Sequence, residues 1–171
     1  MIIIALNNLM MKKIYLITTL LLSLNSYCQV NNLKDLLYLS QLTNYGLIET
    51  LQGRWELVRP TEKTVNEGEQ KIIIGVYPYV YKGDEINQTI KRQINLLVGT
   101  SIRIEKTEFI CNDKELYNRI LKNLPNEGFY LKQKKPHSLF YHDGNFGIGV
   151  TDDAYKDAPL KQGYYMITIF M

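Results

Sequence analysis

Apolar positions recur along the chain with two different periods, and the places where the period changes mark out the elements. In Asn31 to Leu39, Leu33, Leu36 and Leu37 stand at helical spacing and Asn32 precedes Asp35 by three residues as an N-cap. A short helix is therefore expected, ending near Asn44-Tyr45-Gly46. The next stretch, Leu51 to Val58, sets Trp55 and Leu57 against Arg54 and Glu56, the alternation of a half-buried strand, with both apolar residues inward. Gly53 lets the chain turn in tightly, and Trp55, the only tryptophan, can bury on the order of 200 Å² at the base of a core. Pro60 stops this strand.

Thr61 to Gln70 is polar, charged and without period, and reads as a loop. Lys71 to Tyr77 is a β-branched run and reads as a buried strand. Tyr77, Tyr79 and Tyr81 alternate around Pro78 and Val80, so their phenols share one face of an extended chain, while Pro78, unable to donate to a ladder, belongs at an edge or bend. Ile86, Ile90, Ile94 and Leu97 then recur at four, four and three residues. With Asp84 as cap and Gly99 as terminator, they predict a helix from Asp84 to Val98 whose polar face carries Lys91 and Arg92.

Alternation returns in Thr100 to Glu105, with Ile102 and Ile104 inward, and Lys106-Thr107 can turn this strand into a hairpin with Glu108 to Cys111. Asn112, with Glu115 as capping-box partner, starts a helix to Asn123 whose stripe is Leu116, Tyr117, Ile120, Leu121 and Leu124, ended by Pro125. Phe129 to Leu131 is a strand. Ser138–His142 and Phe146–Val150 flank Asp143-Gly144-Asn145 as a hairpin, and Gly163 to Phe170 is the last strand, expected either to tuck its end into a sheet or to be truncated relative to its relatives.

The N-terminus changes the picture of length and charge. Met11-Lys12-Lys13, the apolar Ile14 to Leu24 and Ser26-Tyr27-Cys28 have the plan of a signal peptide, with Met11 as the expected true start. The apolar run is shorter than the ~20 residues that span a bilayer. Residues 1–28 are thus expected to be removed, leaving 29–171 as one domain, periplasmic or extracellular, with no transmembrane segment. The bulky Tyr27 before Cys28 argues against a lipid anchor there. Losing two lysines leaves 18 basic against 17 acidic residues, so no nucleic-acid partner is implied. The densest basic group, Lys132, Lys134 and Lys135, reads as a solvated strand end.

Cys111 would then be the sole cysteine, buried and without a disulfide. His137 and His142, five apart, fall on opposite faces of one strand, which disfavours a shared metal. Gly144, Gly147 and Gly149 lack dinucleotide spacing, and Asp143, Asp152 and Asp153 lack the interleaved oxygen ligands of a calcium loop. No Ser-His-Asp or paired-carboxylate set can be assembled from spacing, and no cofactor is implied.

Leu51-x-Gly53-x-Trp55 resembles the G-x-W opening of lipocalin-like bacterial domains, and Val98-Gly99, the Ile102–Ile104 strand and Phe109 are similar to the middle of such domains. The two internal helices depart from a plain meander. The resemblance implies a barrel whose end Trp55 seals, and a small-molecule ligand. The expectation is an α+β, β-rich domain, a strongly curved antiparallel sheet or lipocalin-like barrel with two to three short helices. It would bind a small apolar or aromatic-stacking ligand, with Tyr77, Tyr79 and Tyr81 as candidate contacts. A protein-interaction or inhibitor module using the same tyrosine face is the alternative.

Overall fold

The computed structural model describes residues 29–81, 87–155 and 160–171. The expected signal segment lies outside them, as do the proposed cap Asp84 and Ile86. Among the described residues, nine antiparallel strands form one sheet, accompanied by three α-helices. The helices are α1 (Leu33–Gln41), α2 (Asn44–Leu51) and α3 (Lys114–Asn123), the last followed by a 3-10 turn at Pro125–Glu127. The strands are β1 (Trp55–Leu57), β2 (Thr61–Glu67), β3 (Gln70–Tyr81), β4 (Gln88–Leu97), β5 (Arg103–Cys111), β6 (Tyr130–Lys135), β7 (Ser138–His142), β8 (Gly147–Thr151) and β9 (Tyr165–Phe170). Their order is β1-β3-β4-β5-β9-β8-β7-β6, with β2 beside β1 along the same edge of β3, and the sheet does not close.

One face of this sheet carries the core. Tyr79, Ile90, Phe109, Ile167, Ile148 and Val150 lie in one cluster with Leu33, Leu36 and Leu47 of the first two helices and Leu116 and Ile120 of α3. Asn32 caps α1 as its position predicts, its side chain accepting from the Asp35 N–H. Helix α1 does not run on to Gly46. The chain breaks at Leu42, and Thr43 caps α2, where Leu47 and Leu51, one helical turn apart, are buried. Gly53, at φ +93°, turns α2 into β1, a left-handed conformation that glycine adopts without strain. Trp55 is buried and meets Tyr81 edge-on at 5.4 Å, whereas Leu57, on the same face but beyond the helices, is exposed.

Three stretches differ from their sequence reading. Thr61–Glu67 is a strand rather than a loop. It pairs with Gln70–Val76, and because neither of its faces is covered it shows no alternation. The stretch read as a helix from Asp84 to Val98 is, where described, strand β4, paired along its length with β3 and β5. Its inward residues are Gln88, Ile90, Arg92 and Ile94. Ile90 and Ile94, four apart, satisfy either period, and the two polar inward residues hide the alternation. Gln88 is fully buried because it exchanges two hydrogen bonds with the backbone of Val30. Buried Arg92 donates from Nε to Glu105 at 3.0 Å, and its Nη2 pairs with the same oxygen.

The third difference is β5, which runs without a turn through Lys106-Thr107. Glu105, Thr107, Phe109 and Cys111 face the helices, while Ile102 and Ile104 are exposed. The cap of α3 also moves by one residue. Asp113 accepts from the Leu116 N–H, and Asn112 accepts instead from the Asn87 N–H. The hairpin of β7 and β8 forms as expected, and β9 is inserted between β5 and β8. Pro78 lies inside the sheet rather than at its edge. Its carbonyl accepts from Val58 where β1 gives way to β2, so the N–H it lacks falls at a break in the neighbouring strand.

Candidate functional site

Among the described residues, no helix covers the sheet's second face. Strand registry lines its side chains up in rows across the strands. One row runs Lys135 (β6), Ser138 (β7), Thr151 (β8), Met166 (β9) and Ile110 (β5). The next runs Gln133, Phe140, Gly149, Thr168, Glu108 and Lys91, reaching β4. These two rows, with Phe170 and Lys106 from a third and Tyr155 and Leu160 from the segment between β8 and β9, line a cleft of about 560 Å³. That volume lies within the ~300–1,000 Å³ typical of small-molecule sites.

Two glycines shape its floor. A Cβ at Gly147 would lie 2.8 Å from the Phe140 ring, so glycine is required there for that ring to fold down onto β8. At Gly149 a Cβ would meet nothing closer than Phe170 at 3.5 Å, so this glycine leaves the floor bare. Phe140 and Phe170 meet edge to face with centroids 6.1 Å apart and form an aromatic wall.

The polar lining is divided between two ends. At one, Glu108 accepts from Lys106 Nζ at 2.8 Å and lies 3.8 Å from Lys91 Nζ, so one carboxylate serves two ammonium groups. At the other stand Lys135, Ser138 and Thr151. The Thr151 hydroxyl is buried with no hydrogen-bond partner, and among the described residues Lys135 has no acidic partner. With three lysines and one glutamate, the described lining of the cleft is net positive.

Tyr77, Tyr79 and Tyr81 do share a face, but it is the helix-covered one. Tyr79 is buried, its phenol raised above its ordinary pKa by burial, and Tyr77 and Tyr81 pack half-buried against the core. None of the three lines the cleft. The Tyr79 hydroxyl, Arg92 Nη1 and the Thr107 hydroxyl are buried on that face without partners.

Cys111 is fully buried behind α3, and burial pushes its thiol up to about 11, away from the thiolate a nucleophile needs. His137 occupies the turn between β6 and β7 at φ +61°, and its Nδ1 lies 3.1 Å from Asp152 Oδ2, an exposed pair that sequence spacing did not reveal. No hydrogen bond joins Ser138 to His137, so the three do not form a relay. His142 Nδ1 accepts from Gly144, and Asp143 accepts from Asn145 and Phe146, which makes both of them part of the turn. Desolvation raises the Asp143 carboxyl, but the backbone donors together with the His142 ring outweigh it and hold the group below its ordinary pKa. No cluster of three or more His, Cys, Asp or Glu suited to a metal occurs among the described residues.

The fold and cleft define an α+β domain built on one open antiparallel sheet, with helices on one face and a basic-rimmed, aromatic-walled cleft on the other. Comparison with protein families, with characterised proteins and with solved structures finds no match to this chain.

Proposed function

We propose that the chain is an exported binding module for a small ligand with an apolar or aromatic body, seated in the cleft on the helix-free face. The observation that carries this reading is the bare floor at Gly149 beside the Phe140–Phe170 wall, in a cleft of small-molecule size. The Gly53–Trp55 resemblance to lipocalin-like domains points towards binding as well. Strong curvature of the sheet fits the same reading: Lys91 of β4 and Lys135 of β6, about 24 Å apart across five strand spacings of a flat sheet, line one cleft. A closed barrel is not needed for it. The alternative interaction surface at Tyr77, Tyr79 and Tyr81 has less to offer a partner, because Tyr79 is buried in the core.

The test is titration with the neutral fluorophore phenylnaphthylamine, which brightens in apolar sites. Saturable binding is expected, and Gly149→Leu, which fills the floor, should abolish it while far-UV circular dichroism stays unchanged. Binding unaffected by Gly149→Leu would place the ligand elsewhere.

A further inference from the structure

Resting on that reading of the cleft, we infer that its ligand is a small amphipathic anion, whose carboxylate or sulfonate-like head is held by Lys135, Ser138 and Thr151. These residues occupy neighbouring positions on β6, β7 and β8, about 4.8 Å from strand to strand, and all three line the cleft. They present an ammonium group and two hydroxyls side by side, all able to donate. The Thr151 hydroxyl is the decisive member. Of the three buried hydroxyls without a partner among the described residues, those of Tyr79, Thr107 and Thr151, only the last belongs to a residue that lines the cleft, and leaving it unpaired gives up water's hydrogen bonds for nothing. An oxyanion seated between Lys135 and Thr151 supplies the missing acceptor.

Charge points to the same end of the cleft. Lys91 and Lys106 share the Glu108 carboxylate, whereas among the described residues Lys135 is the lining lysine with no carboxylate beside it. A head placed there puts the ligand's body over Gly149, against Phe140 and Met166. A ligand with no acceptor at that end would leave Thr151 unsatisfied, a neutral acceptor would leave the Lys135 ammonium group without a counter-charge, and a cation would be repelled by it.

The test compares two probes of similar aromatic body, anilinonaphthalene sulfonate and neutral phenylnaphthylamine, on the full chain. The anionic probe should bind about tenfold more tightly, the worth of one charge-assisted hydrogen bond. Lys135→Gln and the nearly isosteric Thr151→Val should each remove most of that preference and leave the neutral probe within about twofold. Lys132→Gln and Lys134→Gln, on the same strand, control for net charge and should leave the preference intact. Equal affinity for the two probes, or a preference that survives Lys135→Gln or falls equally with the control substitutions, overturns the anion inference. In that case neutral binding that is lost in Gly149→Leu still upholds the cleft. If neither probe binds, or Gly149→Leu spares both, the cleft reading and the inference fall together.

Discussion

Along β4 and β5, neighbouring residues face opposite environments. Ile90 and Phe109 are wholly buried under helices, while Lys91 and Glu108, one position away, line an open cleft. Polar groups are present on both faces, and under the helices too some lack partners: the Tyr79 and Thr107 hydroxyls and Arg92 Nη1. Under the helices, Gln88 and Arg92 have the Val30 backbone and Glu105 as partners. On the open face the lysines stand at the cleft's rim, and the Thr151 hydroxyl has no partner. The comparison teaches that helices close one face over an apolar cluster and leave the other open along its cleft. Stability should therefore reside on the first face and binding on the second.

The sharpest way to break that division is a pair of matched truncations. Phe109→Ala, in the buried cluster, should lower the unfolding free energy by about 3 to 5 kcal/mol in urea denaturation. Phe140→Ala, on the half-exposed cleft wall, should cost less than half as much and weaken probe binding. Equal losses would mean that both faces support the fold alike. Next comes Glu105→Gln, which leaves the Arg92 guanidinium buried without a carboxylate and should cost about 3 kcal/mol. Replacing both partners together, Arg92→Met with Glu105→Leu, should restore much of that loss.

Alkaline titration sharpens the contrast further. Because burial pushes Cys111 from 9.0 up to about 11, the unfolded chain ionises there before the native one. The thiol's contribution is complete below about pH 9 and is lost as pH rises toward 11, by about 2 to 3 kcal/mol. Burial raises Tyr79 and Tyr117 too, and they act with the same sign. Cys111→Ala should flatten the stability profile between pH 9 and 11 by about that amount, as read from urea midpoints. The smallest effect concerns what holds α3 over the core: Asp113→Ala should cost about 1 kcal/mol, the worth of an N-cap. Asn112→Ala should cost distinctly less, and the reverse order would assign the cap to Asn112.

Much of the helix-covered face was legible in the sequence, because wherever a stripe is apolar throughout, its period shows. Leu33 and Leu36, the Leu116–Ile120–Leu124 stripe and the β7–β8 hairpin are of that kind. Strand β4 was not legible, since its inward Gln88 and Arg92 become acceptable only through partners at Val30 and Glu105, 58 and 13 residues away. Strand β2 lacks a buried face, so it had no pattern to read. For α2, Tyr45-Gly46 looks like a terminator, and only Thr43 followed by Leu47 and Leu51 could have signalled the helix. The cleft was invisible for a different reason. Its lining comes from six strands, and of its decisive residues, Lys135, Thr151, Gly149 and Phe170, only Gly149 and Thr151 are neighbours by strand spacing in the sequence.

The place of β9 has a consequence for how the polypeptide matures. Strands β1 to β5 form one part of the sheet and β6 to β8 another, and within the sheet only β9 joins them. Until residues 165–170 have left the ribosome, β5 and β8 each present an open edge, the kind of template on which stray strands pair. A nascent chain stalled before Tyr165 would hold two half-sheets and no cleft, since Met166, Thr168 and Phe170 all come from the missing strand. Completion of the cleft is thus a late event in biosynthesis, reached in the same step that seals the sheet.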